Sequence, residues 1–523
     1  MLHSKDRVSL MDDKHDSCGI CAADAPGRNI APDLYQMLND LQHRGQAGAG
    51  MSTFDQGRKM ILKTYKRPGL VTEAFCSSDE MEWKGIMDDL SGSKGIGHTR
   101  YGTSGPLTSR HVQPFERVHG ERYKWFTFGF NGHLANRSEL EGRITRIGYH
   151  LMLDTDTEVL MHLMSRHISD TKGDLKDTFA RLAEDLDGAY NITYLDAKGS
   201  LVVVRDPHGI RPVSVIEVEN GAFVASETCA LYRYGTEGIR DLGPGEMAFL
   251  KDGRVEYERY ARRRRKALCF FEFIYFAAVT SNIDGRSVYE TRKRCGEELA
   301  KIETEDLNGK DWVIIPVPNT ARPIANSFAK AVGFPEIYDE GLIAVAKGRT
   351  FIDEGDRSAK VKRKFLPIPS VLKGKKVIVI DDSIVRSTTM GTMVRYHLKQ
   401  LGGAKEVHVR IATPPIIAPC YYGIDMRCFE ELVAAPFADR IEGGVMDRRT
   451  QEVIAEKIGA DSLNYMTHDG LVSALGLPRS SICMACLDRN YPTPSGKAMD
   501  KVAFSRFCAS CGMRAGGDGP LSI

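Results

Sequence analysis

The run VIVIDDSIVRSTTM at 377–390 leaves few folds open. Val377–Ile380 are consecutive apolar residues behind the charges of Lys375 and Lys376. Such a run reads as a strand buried on both faces, and strands of that kind belong to parallel sheets. Asp381 and Asp382 stand where the strand ends, and Ser383–Thr389 forms a loop entering a helix. Ligands of open α/β sheets bind at the carboxyl ends of strands. A helix N-terminus offers unpaired N–H groups and positive dipole to a phosphate. The hydroxyls of Ser387, Thr388 and Thr389 can add hydrogen bonds, and the paired acids can hold ribose hydroxyls or Mg²⁺. The plainer reading is a strand that ends in a helix cap with two acids beside it.

The surrounding residues repeat the alternation. A helical pattern at 288–304 leads to WVIIPVP at 312–318, and a second, over 321–332, stops at Gly333. Helix-like 388–401 precedes EVHVRIAT at 406–413. Strands alternating with helices predict a parallel sheet. Residues 18 to about 255 have another texture. FTFGFNG (126–132), YNITYL (190–195), LVVVRD (201–206) and AFVAS (222–226) read as strands, with helical patterns at 33–42 and 156–166. GPGEM at 243–247 is a closing turn. A chain of 523 residues is too long for one core. The expected divisions are a leader at 1–17, domains at 18–255 and 256–480, and a tail at 481–523.

Composition excludes some functions. Hydrophobic residues make up 42% and charged residues 27%, as in soluble globular proteins. A formal net charge of +2 gives no electrostatic reason to expect nucleic acid or an anionic membrane as partner. The one basic block, Arg262–Lys266, reads as a solvated segment. No apolar stretch approaches the roughly 20 residues that span a bilayer. The first seventeen residues lack the hydrophobic core of a secretory signal. The expectation is a cytoplasmic protein, where disulfides are rare, so twelve cysteines point to metal or catalysis. Cys18, in HDSCGICAAD, has four readings: a metal knuckle with Cys21, a redox pair, a buried thiol, or a nucleophile that becomes a new N-terminus.

VIVIDDSIVRSTTM resembles the phosphoribosyl-pyrophosphate (PRPP) signature of type I phosphoribosyltransferases. CGI at 18–20, LQHRGQAGAG at 41–50, GHTRYGTSG at 97–105, FNGHLAN at 130–136 and DTEVL at 156–160 occur in the order found in N-terminal-nucleophile glutamine amidotransferases. With RDPHGIRP (205–212), FEFIYFAAVTSNIDGRSVYETR (271–292) and PCYYGIDM (419–426), the chain resembles the glutamine phosphoribosylpyrophosphate amidotransferases from Cys18 to about residue 493.

The resemblance implies a four-layer αββα N-terminal-nucleophile hydrolase sandwich followed by a type I phosphoribosyltransferase parallel α/β domain. It implies that glutamine, PRPP and water give 5-phosphoribosylamine, glutamate and pyrophosphate, the first step of purine synthesis, with ammonia passing between two sites. Cys18 would attack the carboxamide, with its own α-amine as base. That amine exists only if Met1–Ser17 is removed, so cleavage after Ser17 is expected. Asn131 and Gly132 would form the oxyanion hole. Arg100 would hold the glutamine α-carboxylate and Asp156 its α-ammonium. Asp381 and Asp382 would hold the ribose and Mg²⁺. Ser383, Arg386, Ser387, Thr388 and Thr389 would hold the 5′-phosphate. His43 and His98 read as structural, and Cys21 as a packing residue. Taken singly, Arg100 also reads as a surface ion pair, Asp156 as a helix cap and Asn131 as a turn residue. Purine nucleotides are expected inhibitors, and a homo-oligomer is expected.

Cys269, Cys420, Cys483 and Cys486 match the family's iron–sulfur subclass, whose four thiolates suit a structural [4Fe–4S] cluster. A leader before the nucleophile is typical of the same subclass. A local reading pairs CMAC at 483–486 with CASC at 508–511 as a zinc site, although 21 intervening residues exceed the usual ribbon spacing. The cluster reading leaves Cys508 and Cys511 without a role.

The transferase half departs from the family pattern in several places. The family's pyrophosphate loop carries an acid and a hydroxyl where this chain has Pro318-Asn319-Thr320-Ala321. AVAKGRTF at 344–351 lacks the family's lid tyrosine, with Lys347 standing near its lysine. AVTS occupies 278–281 in place of RPDS, and Ser387 replaces a glycine. Two alternatives therefore stay open: a paralogue that hydrolyses glutamine with an altered or silent PRPP site, and a zinc-bearing nucleic-acid module.

Overall fold

In the computed structural model, residues 18–101, 108–308, 311–345, 362 and 364–511 are described. The leader Met1–Ser17, Lys347 with its neighbours, the Cys511 side chain and residues beyond 511 lie outside them. The described residues form two units. The first runs to Lys266 and includes Cys420–Arg427 and Thr493–Gly496; the second takes Ala267–Pro419, Cys428–Pro492 and the residues from Lys497.

The first unit holds two antiparallel sheets. One contains β1 (Gly19–Asp24), β2 (Gly48–Phe54), β3 (Leu62–Pro68), β4 (Lys94–Arg100), β9 (Ser214–Val218), β10 (Gly221–Ala225) and β11 (Arg240–Asp241), in the order β11-β9-β10-β1-β4-β2-β3. The other contains β5 (Phe115–Arg117), β6 (Phe126–Leu134), β7 (Gly188–Asp196), β8 (Leu201–Arg205), β12 (Glu246–Lys251) and β13 (Arg254–Arg259), in the order β13-β12-β8-β7-β6-β5.

Strand period sorts the side chains into layers. Along β1, Cys21 and Ala23 pack on one face with Leu34 and Leu38 of α1 (Ala31–Asp40). Ala22 faces the other way and shares a core with Ile96 of β4, Leu195 of β7, Val203 of β8 and Ala248 of β12. That core draws on both sheets and is the inner layer. On the far side of the second sheet, Phe126, Phe128 and Phe130 of β6 pack with Leu140 of α4 (Arg137–Arg146), Leu163 of α5 (Asp156–Asp170) and Phe179 of α6 (Leu175–Asp185). The result is the four-layer αββα sandwich that the resemblance implied. Each large apolar side chain so buried contributes about 1.5–3 kcal/mol against exposure.

The second unit is built on a parallel sheet. Its strands, in order, are β15 (Trp312–Pro316), β16 (Lys376–Asp381), β17 (Glu406–Ile411) and β18 (Ser462–Tyr465). A two-stranded parallel ladder of β14 (Leu268–Cys269) and β19 (Ile482–Cys483) stands apart from it. Helices expected at 288–304 and 321–332 form as α7 (Val288–Ala300) and α8 (Arg322–Ala331). The helix after the acid pair begins as α9 (Ser387–Thr392) and continues in π-turns over Met393–Leu401. After α8 the chain returns beside β15, where Tyr338 bridges Ile314 in parallel. It then crosses to β16 on the other side of β15. The direction of winding therefore reverses between β15 and β16, and such a switch point opens a crevice at the strands' carboxyl ends.

Candidate active sites

In the first unit the inner layer is apolar at one end and polar at the other. The period that puts Cys21 against α1 puts Ile20, and by the same alternation Cys18, on the inner face of β1. A Cβ on Gly129 of β6 would lie 3.7 Å from Ile20 and 3.8 Å from His98, so the odd residues of β6 also look inward. Cys18 is fully buried. Its carbonyl accepts from Arg44 Nε at 3.2 Å. Arg44 Nη1 reaches Glu227 Oε1 at 2.5 Å, and His43 Nε2 meets the same oxygen at 2.8 Å. Burial alone would raise the Glu227 carboxyl, but the charges of Arg44 and His43 outweigh it and hold it well below the usual range. The sequence reading placed Arg44 in a motif without a role and missed Glu227 altogether. The two are 183 residues apart, so no local spacing links them.

Arg100 is the last residue of β4. The register pairs Gly19 with Thr99, so Arg100 lies opposite Cys18 across the two strands. Asn131 is fully buried, and neither atom of its amide has a hydrogen-bond partner among the described residues. Next to it, a Cβ on Gly132 would stand 1.9 Å from the Ala189 carbonyl oxygen, so only glycine fits. Asp156 opens α5 and is nearly buried. Its Oδ2 accepts from the Leu134 N–H at 3.0 Å and lies 2.8 Å from His133 Nδ1, which ties it to the end of β6. Burial works to raise this carboxyl, while His133 and the Leu134 N–H bring it below the ordinary value.

His98 bridges the two sheets through Nε2, 3.2 Å from the Phe130 carbonyl. A carbonyl only accepts, so Nε2 carries the hydrogen. Burial pushes His98 down to about 3, leaving a neutral ring. Cys21 lies on the face opposite Cys18, and burial pushes its thiol far up. A thiol so placed is neither ionised nor able to meet Cys18.

In the second unit the switch point gathers two loops. Val317 N–H donates to the Ile380 carbonyl at 2.8 Å, so Pro318–Ala321 and Asp381–Arg386 leave neighbouring strands together. Asp382 N–H donates to Asp381 Oδ1 at 2.9 Å, and the Ser383 hydroxyl donates to Asp382 Oδ1 at 2.7 Å. Burial, then the Asp382 charge, pushes Asp381 well above the carboxylate range. Asp382 is pushed up to about 6 by burial, against the pull of the Ser383 hydrogen bond and the charges of Arg292 and Lys364. Two crowded acids with too little positive charge suit a divalent cation or a pair of ribose hydroxyls. Ser387 is half-buried and Thr388 and Thr389 are exposed on the first turn of α9, which has no side-chain cap. Arg386 is turned to Glu431. Asn319 is exposed, and Ala321 is buried at the start of α8.

Three of the expected cluster cysteines lie in the second unit. Cys269 and Cys483 are partners in the β14–β19 ladder, and the Cys486 carbonyl accepts from Ile417 and Ala418 N–H. All three are buried. Cys420 lies in the first unit, with its Sγ 3.4 Å from the Tyr422 N–H. Cys508 is buried within the helix Pro494–Cys511. Among the described residues no set of three or more His, Cys, Asp or Glu side chains is already arranged around a metal position.

Residues 98–233 match the model of a glutamine amidotransferase domain, and residues 288–414 that of a phosphoribosyl transferase domain. An amidophosphoribosyltransferase of Methanothermobacter thermautotrophicus is 37% identical, covering 94% of this chain and 98% of the relative. One from Pyrococcus horikoshii is 40% identical over 93% and 98%. The chain belongs to the amidophosphoribosyltransferase family. A solved amidophosphoribosyltransferase structure, the Bacillus subtilis glutamine PRPP amidotransferase complexed with ADP and GMP, has a TM-score of 0.78 at 33% identity, covering 91% of this chain and 98% of that one. As an amidophosphoribosyltransferase the chain is a transferase of purine biosynthesis with both catalytic domains. The match also favours that reading over a silent paralogue or a nucleic-acid module. No helix among the described residues is long and apolar enough to cross a membrane.

Proposed function

We propose that this protein converts glutamine, PRPP and water to 5-phosphoribosylamine, glutamate and pyrophosphate. The observation that carries the reading is the pairing of two sites on one chain: the buried amide of Asn131 beside Gly132, and the acid pair at a switch point. In the first site Cys18 is the nucleophile and the oxyanion rests on Asn131 Nδ2 and the Gly132 N–H. Arg100 takes the α-carboxylate of glutamine and Asp156 its α-ammonium. The α-amine freed by loss of Met1–Ser17 moves the proton from the thiol to the leaving ammonia. Ammonia then passes within the protein to the second site.

At that site Asp381 and Asp382 hold the ribose hydroxyls or Mg²⁺. Ser383, Ser387, Thr388, Thr389 and the N–H groups of α9 hold the 5′-phosphate. Arg386 contributes there by bracing the loop against Glu431. When bound, Mg²⁺ neutralises charge that develops on the departing pyrophosphate. Replacing both Asp381 and Asp382 by asparagine is expected to cut pyrophosphate release by about 10²–10³-fold. The check is pyrophosphate release with PRPP, Mg²⁺ and an ammonium salt, which bypasses the first site.

Cys269, Cys483 and Cys486 are proposed ligands of a [4Fe–4S] cluster, with Cys420 the fourth. The in-register pair Cys269–Cys483 supports this over a zinc ribbon, which needs Cys508 and Cys511 instead. Iron and acid-labile sulfide analysis of the purified protein decides between them. We also propose a cytoplasmic homo-oligomer inhibited by purine nucleotides; the ADP and GMP bound in the Bacillus subtilis structure support the nucleotide part of that reading.

Glutamate and pyrophosphate are measured with each substrate alone and with both. The reading predicts pyrophosphate only when PRPP is present. Glutamate release indifferent to PRPP, with no pyrophosphate, would overturn it.

A further inference from the structure

We infer that Asn191 is a positioning residue of the glutaminase site, holding the Asn131 amide with one N–H aimed at the reacting carbonyl. The inference rests on the reading of Asn131 as an oxyanion donor.

Asn131 on β6 and Asn191 on β7 are direct partners across the antiparallel ladder. Directly opposite residues have their Cβ atoms about 4.5–5.5 Å apart and side chains on the same face. That face is the inner one, because Tyr190, Ile192 and Tyr194 of β7 pack outward among the helices while Leu195 joins the inner core. Both asparagines are fully buried.

The hydrogen-bond inventory decides what Asn191 offers. Its Nδ2 donates to the Pro212 carbonyl at 2.8 Å. That partner can only accept, so the amide orientation is fixed and Oδ1 is the end left over. Among the described residues Asn191 Oδ1 is buried without a partner, and so are both amide atoms of Asn131. A buried amide oxygen left unpaired costs about 1–3 kcal/mol. An Asn131 Nδ2 hydrogen bonded to Asn191 Oδ1 removes that cost.

The pairing has a catalytic consequence. Asn131 can turn either its NH₂ or its oxygen to the substrate. An oxygen facing a developing oxyanion is repulsive, whereas an N–H is stabilising. With one Nδ2 hydrogen given to Asn191, the other points away from β7 and the amide cannot present its oxygen. Asn191 thus acts through Asn131 and touches no substrate.

The test compares wild type, Asn191→Ala, Asn191→Ser, Asn131→Ala and the Asn131→Ala/Asn191→Ala double variant in the processed full-length enzyme. Glutamate release is followed with PRPP and Mg²⁺, and the alkylation rate of Cys18 by iodoacetamide is measured alongside. Asn191→Ala is expected to lower kcat about tenfold with little change in the KM for glutamine. Alkylation, which forms no oxyanion, should keep its rate. In the Asn131→Ala background, the change at 191 should have no further effect. An unchanged kcat in Asn191→Ala, or the same tenfold loss without Asn131, overturns the inference. So does a loss matched by slowed alkylation, which would mark a general disturbance. Asn191→Ser gives the same readings if the alanine variant does not fold. Full kcat in Asn131→Ala would instead remove the oxyanion reading itself, and this inference with it.

Discussion

Changing Cys18 to alanine is expected to lower glutamine-dependent glutamate release by roughly 10⁴-fold or more, as loss of a nucleophile does when the rest of the site stays intact. Pyrophosphate release driven by an ammonium salt should persist, because it needs only the second site. Asn131→Ala should leave the nucleophile and cost about 10²–10³-fold in kcat. The same protein answers the processing question by mass spectrometry. Active enzyme should begin at Cys18, and a chain that keeps Met1–Ser17 and turns over glutamine would show that the α-amine is not the base.

Replacing Glu227 by alanine is the second large expected effect. Glu227 and Arg44 are both fully buried, so the change leaves an uncompensated guanidinium inside the sandwich. Breaking a buried pair in this way costs about 3–5 kcal/mol. It also removes the anchor of the group that holds the Cys18 carbonyl, so glutaminase activity should fall with stability. The pH dependence has a definite sign. Glu227 is held below its unfolded value of about 4.3, so its contribution is complete above that value. The contribution is lost as pH falls toward the folded value. The gap in denaturation midpoint between wild type and Glu227→Ala should therefore be full at pH 7 and narrow below about pH 4. A gap that stays constant through that range would show that the effect is packing rather than charge.

Particular residues mark how far sequence reasoning reached. Cys18, Arg100, Asn131, Gly132 and Asp156 come from four separate motifs, and they fall on β4, β6 and α5 and just before β1. The acid pair was legible from one strand and its loop, but the reversal between β15 and β16 that makes the place a crevice was not. It depends on Tyr338 returning beside Ile314. Arg386 reads as a phosphate ligand from its place in the loop, and its ion pair with Glu431, 45 residues further on, lies outside any local window. Asn191 drew no notice, since one asparagine in a strand carries no pattern of its own.

The sequence by itself determined the class of each half, the strand that ends in Asp381 and Asp382, and the alternation of strands and helices around it. These are consequences of a side-chain period and a run length, and a few consecutive residues suffice to express them. Tertiary structure alone decided that Glu227 meets Arg44, that Cys269 pairs with Cys483, and that Asn191 stands across from Asn131. Those contacts follow from which strands close against each other. That choice is made by the burial of whole faces, and no local window of the chain contains it.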